Sequence, residues 1–204
     1  MKRKLATLFM FGAILAFSAQ ASAKGTHFIA EHEVGAGITD NSLFSSSLGL
    51  SLGYGGKFKG WSPRFYALMT YSHGMLDSIH SSPVSRASRA VSDDLMLFGP
   101  RVYIPVARNV RVLLQAEMGF AFSTSHWLIN KIEKYDVDET SLATRIALGL
   151  QARINRWVSM GFMIDRLSYF GRHADSAMAQ FAGLSGVGDE DRQTRLLGLF
   201  TFHF

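Results

Sequence analysis

A closed antiparallel sheet of eight strands, wound up and down, is the fold that three features of the sequence predict. The chain divides into eight segments in which apolar and polar residues alternate, the period of a strand with one face in an apolar medium. The connections alternate too, short after the second, fourth and sixth segments and long after the third, fifth and seventh. The last segment, 194–204, places Leu196, Phe200, Phe202 and Phe204 on one face and Arg195, Leu197, Leu199, Thr201 and His203 on the other. A composition of 19 glycines, 16 phenylalanines and only 4 prolines suits a twisted, closed sheet better than a bundle of helices.

The N-terminus sets the compartment. Lys2, Arg3 and Lys4 precede an apolar run over 5–17 and the small residues Ala21, Ser22 and Ala23, the three-part layout of a secretory signal peptide. Residues 1–23 are therefore expected to be removed, leaving a single exported domain over 24–204. The chain has no cysteine, so neither a lipid anchor nor a disulfide is expected. No other run approaches the roughly 18 apolar residues of a membrane-crossing helix. Loss of the three basic signal residues takes Lys plus Arg from 21 to 18 against 16 acids. A mature charge near +2 gives no reason to expect a nucleic-acid partner.

Taken in order, the first segment has Phe28, Ala30, His32, Val34, Ala36 and Ile38 outward, with Glu31 and Glu33 inward. In the second, Leu48, Leu50, Leu52 and Tyr54 face out while Ser47, Gly49, Ser51 and Gly53 face in, leaving room for longer side chains from other strands. After a compact turn at 57–63, the third shows Phe65, Ala67, Met69 and Tyr71 on one face. A long polar connection over 77–92 follows. The fourth segment, 94–104, has Met96, Phe98, Val102 and Ile104 outward and Arg101 and Tyr103 inward. Pro100 lacks the N–H that a central strand needs, so a bulge or local break is expected beside Gly99.

A tight turn at 105–109 leads to the fifth segment. There Val110, Val112, Leu114, Ala116, Met118, Phe120 and Phe122 face out, against Arg111, Gln115 and Glu117. A second long connection is predicted over 123–140. The sixth segment sets Leu142, Ile146, Leu148, Leu150 and Ala152 against Arg145, Gln151 and Arg153. The turn at Asn155 and Arg156 opens the seventh, where Val158, Met160, Phe162 and Ile164 oppose Ser159, Gly161 and Asp165. A third long connection, 170–191, precedes the last strand. Short turns on one rim and long loops on the other are the arrangement of an outer-membrane barrel, with both termini on the short-turn, periplasmic side. Trp61 and Trp157 at that rim, and Tyr71, Phe122, Trp127, Tyr169 and Phe170 near the other, read as two aromatic girdles.

Eight strands enclose a lumen that side chains can fill. The inward positions offer Glu31, Glu33, Glu117 and Asp165 against Arg101, Arg145 and Arg195, with Arg64 and Arg153 also on that side. Hairpin geometry places Arg145 near Asp165, and Arg101 a diagonal step from Glu117. Withdrawn charges need partners, so an interior ion-pair network that plugs the barrel is predicted. The same residues also fit a narrow selective pore or proton path.

The signal peptide, eight alternating segments, short turns and terminal Phe204 make the chain resemble the small eight-stranded outer-membrane proteins, the OmpA-type transmembrane domain and the OmpX-type barrels. The likeness spans the mature chain but rests on architecture, not on a signature motif. It implies a monomer in the outer membrane of a Gram-negative bacterium, with interior salt bridges and loops active in adhesion, envelope stability or defence. Phe200, Phe202 and Phe204 would then form the insertion signal read by the barrel-assembly machinery. The chain departs from the OmpA type in having no peptidoglycan-binding domain after the barrel, which puts cell-wall tethering in doubt.

The loops offer candidate residues for other functions. Ser72 with His73, Ser125 with His126, and His173 with Asp175 and Ser176 are candidate nucleophile and base pairs for a lipid A modifying enzyme. None matches the deacylase pattern, and no catalytic residue is assigned. No metal-ligand spacing or nucleotide-binding glycine loop occurs, so no metal or cofactor is expected. Arg86 and Arg89, with Arg172 and Arg192 on other loops, are candidates for contact with lipopolysaccharide phosphates, or are solvated. A soluble ligand-carrying barrel is the remaining alternative.

Overall fold

A computed structural model of the chain describes residues 26–39, 44–57, 63–81, 86–130, 133–171, 174–181 and 192–204. The expected signal peptide and Trp61 lie outside them. The eight segments form strands β1 (Thr26–Thr39), β2 (Phe44–Lys57), β3 (Arg64–Ser81), β4 (Arg86–Pro105), β5 (Val110–Ile129), β6 (Glu133–Arg153), β7 (Val158–Phe170) and β8 (Arg192–His203). Each pairs antiparallel with its sequence neighbours, and β8 returns to β1, closing the barrel. At the seam Ile29 faces His203 and Thr39 faces Gln193, and the Phe204 amide donates to the Phe28 carbonyl at 2.9 Å.

Closure gives the alternation its direction. Ile146 is 70% exposed and Leu148 58%, whereas their neighbours Arg145 and Ala147 are 0% and 3% exposed. Leu48, Phe162 and Phe200 are likewise outside, and Glu31 and Asp165 inside. Apolar side chains therefore face away from the barrel and the charges face its axis, as the sequence predicts.

The turns of one rim are short because local chemistry closes them. The Asn155 side-chain oxygen accepts from the amides of Trp157 and Val158 at 2.8 and 2.9 Å, an Asx-type turn. The amides of Val106 and Ala107 both donate to the Val110 carbonyl at 3.1 Å. Pro100 causes the expected local break but no bulge. Pairing of β4 with β5 skips Gly99 and Pro100 and resumes in the same register, from Phe98 opposite Met118 to Arg101 opposite Gln115. A side chain at Gly99 would meet the Ala116 carbonyl and come within 2.7 Å of the Glu117 Cα, so a glycine is needed beside the break.

The other rim corrects the sequence reading. The connections expected over 77–92 and 123–140 are mostly strand: β3 runs to Ser81, β4 starts at Arg86, β5 runs to Ile129 and β6 starts at Glu133. The ladder of β4 and β5 continues to Ala87 opposite Ile129. Strands β3–β6 have 18, 20, 20 and 21 residues, against 12 to 14 in the other four, so one side of the barrel stands above the rest. At about 3.3 Å per residue, six extra residues raise that wall by roughly 20 Å along the strand. Within the third expected connection, 170–191, lies a short helix α1 (Ala174–Phe181) that leans on the inner side of the wall. There Ala179 packs with Ala87, Trp127 and Ile129, and Phe181 meets Tyr135 edge to face at 6.0 Å between ring centres.

Polarity inverts along the tall strands. Outward residues on β5 pass from Phe120 and Phe122 to Thr124 and His126, and on β6 from Leu142 to Thr140, Asp138 and Asp136. Inward residues pass in the opposite sense, from Glu117 and Arg145 to Trp127, Tyr135 and Val137. Two expected girdle residues are therefore reassigned. Trp127 and Tyr169 point inward and are buried, because each keeps the parity of Glu117 and Asp165 on its own strand. Phe122, Trp157 and Phe170 do lie outside, and Tyr71 is half-buried.

Candidate functional site: a charged lumen

Seven charged residues predicted to face inward, Glu31, Glu33, Arg101, Glu117, Arg145, Asp165 and Arg195, are all buried and form one connected network. Arg145 is its centre. Its Nη2 contacts Glu33 Oε2 at 2.7 Å, its Nε contacts Asp165 Oδ2 at 2.7 Å, and its Nη1 lies 3.3 Å from Glu117 Oε2. The register explains this, since Glu117 stands directly opposite Arg145 on β5 and Asp165 a diagonal step away on β7. Arg195 grips Asp165 with two donors, Nε to Oδ1 at 3.0 Å and Nη2 to Oδ2 at 2.5 Å. Such forked pairs are the strong form of this interaction.

Arg101 differs from expectation in its partner. It is a diagonal step from Glu117, as predicted, but its Nη1 reaches across the lumen to Glu31 Oε1 at 2.6 Å and its Nη2 lies 3.8 Å from Glu33. Gln115 takes its Nε at 2.7 Å, and Tyr103 OH accepts from Nη1 at 3.0 Å. The four carboxylates outnumber the three guanidiniums, and neutral donors supply the difference. Ser51 donates to Glu33 at 2.7 Å, Thr70 to Glu117 at 2.6 Å, and Thr201 to Glu31. Of these, Thr70 is a participant that the sequence reading missed; its inward parity on β3 was the available signal. The small inner face of β2 does what was expected of it, for Glu33 lies over Gly49, where an added Cβ would be 3.4 Å from the Glu33 side chain.

Apolar layers pack around the network. Ile29, Tyr66, Leu113, Met163 and Leu199 fill the lumen towards the short turns, and Leu95, Leu97, Ala121 and Leu167 fill it towards the other rim. Higher still, Tyr169 donates to Asp93 at 3.0 Å, and the Arg89 guanidinium lies 5.5 Å from the centre of the Trp127 ring.

The two candidate pairs among the described residues, Ser72 with His73 and Ser125 with His126, do not assemble. Neighbours on a strand point to opposite faces, so Ser72 and Ser125 are buried inside while His73 and His126 face outward. Each histidine bonds an aspartate instead, His73 to Asp94 at 2.9 Å and His126 to Asp136 at 2.7 Å. His173 and the side chains of Asp175 and Ser176 lie outside the described residues. Among the lipopolysaccharide candidates, Arg89 is corrected: it is 1% exposed and turned inward, because the segment carrying it is strand and not loop. Arg192 is exposed at the start of β8, whereas Arg172 and the side chain of Arg86 lie outside the described residues. Phe200 and Phe202 share the outer face of β8 with rings 5.1 Å apart, and Phe204 is exposed beyond them.

No protein-family model matches the chain, and no curated protein matches it by sequence. Solved structures are similar in fold. Neisserial surface protein A aligns over 89% of this chain and 98% of its own, at 11% identity and a TM-score of 0.49. The attachment invasion locus protein of Yersinia pestis aligns over 89% of this chain and 100% of its own, at 11% identity and a TM-score of 0.47. The N-terminal β-barrel domain of Pseudomonas aeruginosa OprF aligns over 87% and 97%, at 12% identity and a TM-score of 0.43. By its own strand count, closure and outward apolar face, the chain has the fold of the eight-stranded outer-membrane barrels.

Proposed function

We propose that the chain is a barrel of the Gram-negative outer membrane whose lumen is closed and whose role is structural or one of surface interaction. The observation that carries this reading is the pairing of an apolar outer surface with a buried interior network of ion pairs. A bilayer rewards the first, and the second opposes conduction, since breaking buried pairs to admit ions costs several kcal/mol. The signal peptide would deliver the chain, cleaved near Ala23, to the periplasm. The face of Phe200, Phe202 and Phe204 would engage the barrel-assembly machinery, and the tall wall of β3–β6 would stand outside the cell. Arg192, with Arg86 and Arg172, supplies positive charge for lipopolysaccharide phosphates. Cell fractionation with gel mobility before and after boiling tests the address: membrane recovery with a heat-dependent shift is expected, and release in the detergent-free periplasmic fraction would refute it. Planar bilayers should stay silent; discrete conductance steps would replace the plug with a channel. A mass change in lipid A on expression would replace it with an enzyme.

A further inference from the structure

Among the described residues, the charged side chains at the short-turn mouth of the barrel are all basic. The 16 acidic residues include none in 41–76, 95–116, 140–164 or 192–204, the stretches that build the three short turns and the strand ends around them. Arg64, Arg108, Arg111, Arg153 and Arg156 all lie there. Four of these, Arg64, Arg108, Arg111 and Arg153, line a cavity of about 110 Å³ together with Tyr103 and Asn109. The register produces this convergence. Arg64 faces Tyr103 across the β3–β4 ladder, Arg111 faces Pro105 across β4–β5, and the Arg153 amide donates to the Asn109 carbonyl at 2.7 Å. Tyr103 forms the floor, with the Arg111 guanidinium 4.7 Å from its ring centre. Arg111 also donates to Ser159 Oγ at 2.8 Å and approaches His203 Nε2 at 3.2 Å, contacts that orient it without neutralising it. The carboxylates of the network are engaged elsewhere, with Glu31, on the same side of it, held by Arg101 at 2.6 Å.

We infer that this mouth is a binding site for phosphate oxyanions. Four arginines around one cavity repel one another, Arg153 while its Nε and Nη2 donate to the carbonyls of Asn155 and Arg156 at 3.0 Å, and no carboxylate lines it among the described residues. A ligand that relieves this must bring negative charge and several acceptor oxygens at once. Phosphate does so, because guanidinium forks match its oxygens in pairs, whereas one carboxylate satisfies a single fork. The source is either a free phosphate or phosphate ester reaching the mouth from water, or the headgroup of an anionic phospholipid in the adjoining leaflet.

The test uses the full chain folded in detergent. Inorganic phosphate is titrated by calorimetry, and retention of phosphatidylglycerol against phosphatidylcholine is read by native mass spectrometry. The variants are the double replacement Arg64→Gln with Arg111→Gln, the turn replacement Arg108→Gln, and Arg156→Gln, which lies outside the cavity. Wild type should bind phosphate or prefer phosphatidylglycerol, the double variant should lose about tenfold in that property, Arg108→Gln should lose several-fold, and Arg156→Gln should change little. Phosphate binding in calorimetry identifies the free anion, and lipid preference alone identifies the headgroup. Unheated gel mobility reports folding, and if the double variant does not fold, Arg108→Gln decides. Wild type showing neither property, or Arg108→Gln and the double variant matching wild type, would overturn the inference.

Discussion

Arg145 shows how much of the lumen depends on one side chain. It is 0% exposed and touches three of the four network carboxylates. Replacement by leucine leaves Glu117 without its guanidinium and Glu33 with only that of Arg101, at 3.8 Å, and breaking a buried pair from one side costs about 3–5 kcal/mol. Arg145→Leu should therefore unfold from lipid vesicles at clearly lower urea than wild type; an unchanged midpoint would mean that hydroxyl donors such as Ser51 and Thr70 carry the carboxylates unaided. The membership of this network was legible because parity along a strand is strict: Glu31, Glu117 and Asp165 needed only their neighbours to be assigned inward. The pairing was less so. Arg145 with Asp165 follows from a hairpin, but Arg101 with Glu31 joins β4 to β1 across the lumen, and that contact depends on tilt and diameter, which no local pattern encodes.

The paired strands themselves were read correctly where an apolar outer face supplies contrast and missed where it does not. Below Phe122 and Leu142 the outer face is apolar and the inner face charged; above them the outer face holds His126, Asp136 and Asp138, and the segment looks like loop because serines and threonines occupy both faces. The inward apolar residues Trp127, Ile129 and Ala87 were the remaining clue, too sparse to set a period. These upper hairpins are held by their own ladders and by the packing of α1. Trp127→Ala, a truncation worth about 3–5 kcal/mol when fully buried, should make the upper parts of β5 and β6 sensitive to added protease in folded protein. The heat-dependent gel shift of the membrane-spanning part should persist; its loss would show that barrel and wall unfold together.

For the whole molecule, the medium around the barrel decides stability. Ile146, the most exposed apolar residue of β6, lies midway along its outward apolar stretch. Ile146→Arg should cost about 2–4 kcal/mol in bilayer-based unfolding, as for a cation near the midplane, while His126→Arg on the polar wall should cost almost nothing. Equal effects at the two positions would mean that the outer face meets water throughout. The uneven height of the strands has one more outcome. Pairing of β2 with β3 ends at Leu76, and pairing of β6 with β7 ends at Leu142, so 77–81 and 133–141 have no strand beside them on those flanks among the described residues. Bare flanks of this kind invite another chain to add on, and charges are the usual deterrent; Asp77 guards one flank, and Lys134, Asp136 and Asp138 the other. Replacing Asp136 and Asp138 by threonine should give concentration-dependent dimers and larger species in analytical ultracentrifugation that wild type does not form, joined wall to wall along these bare flanks.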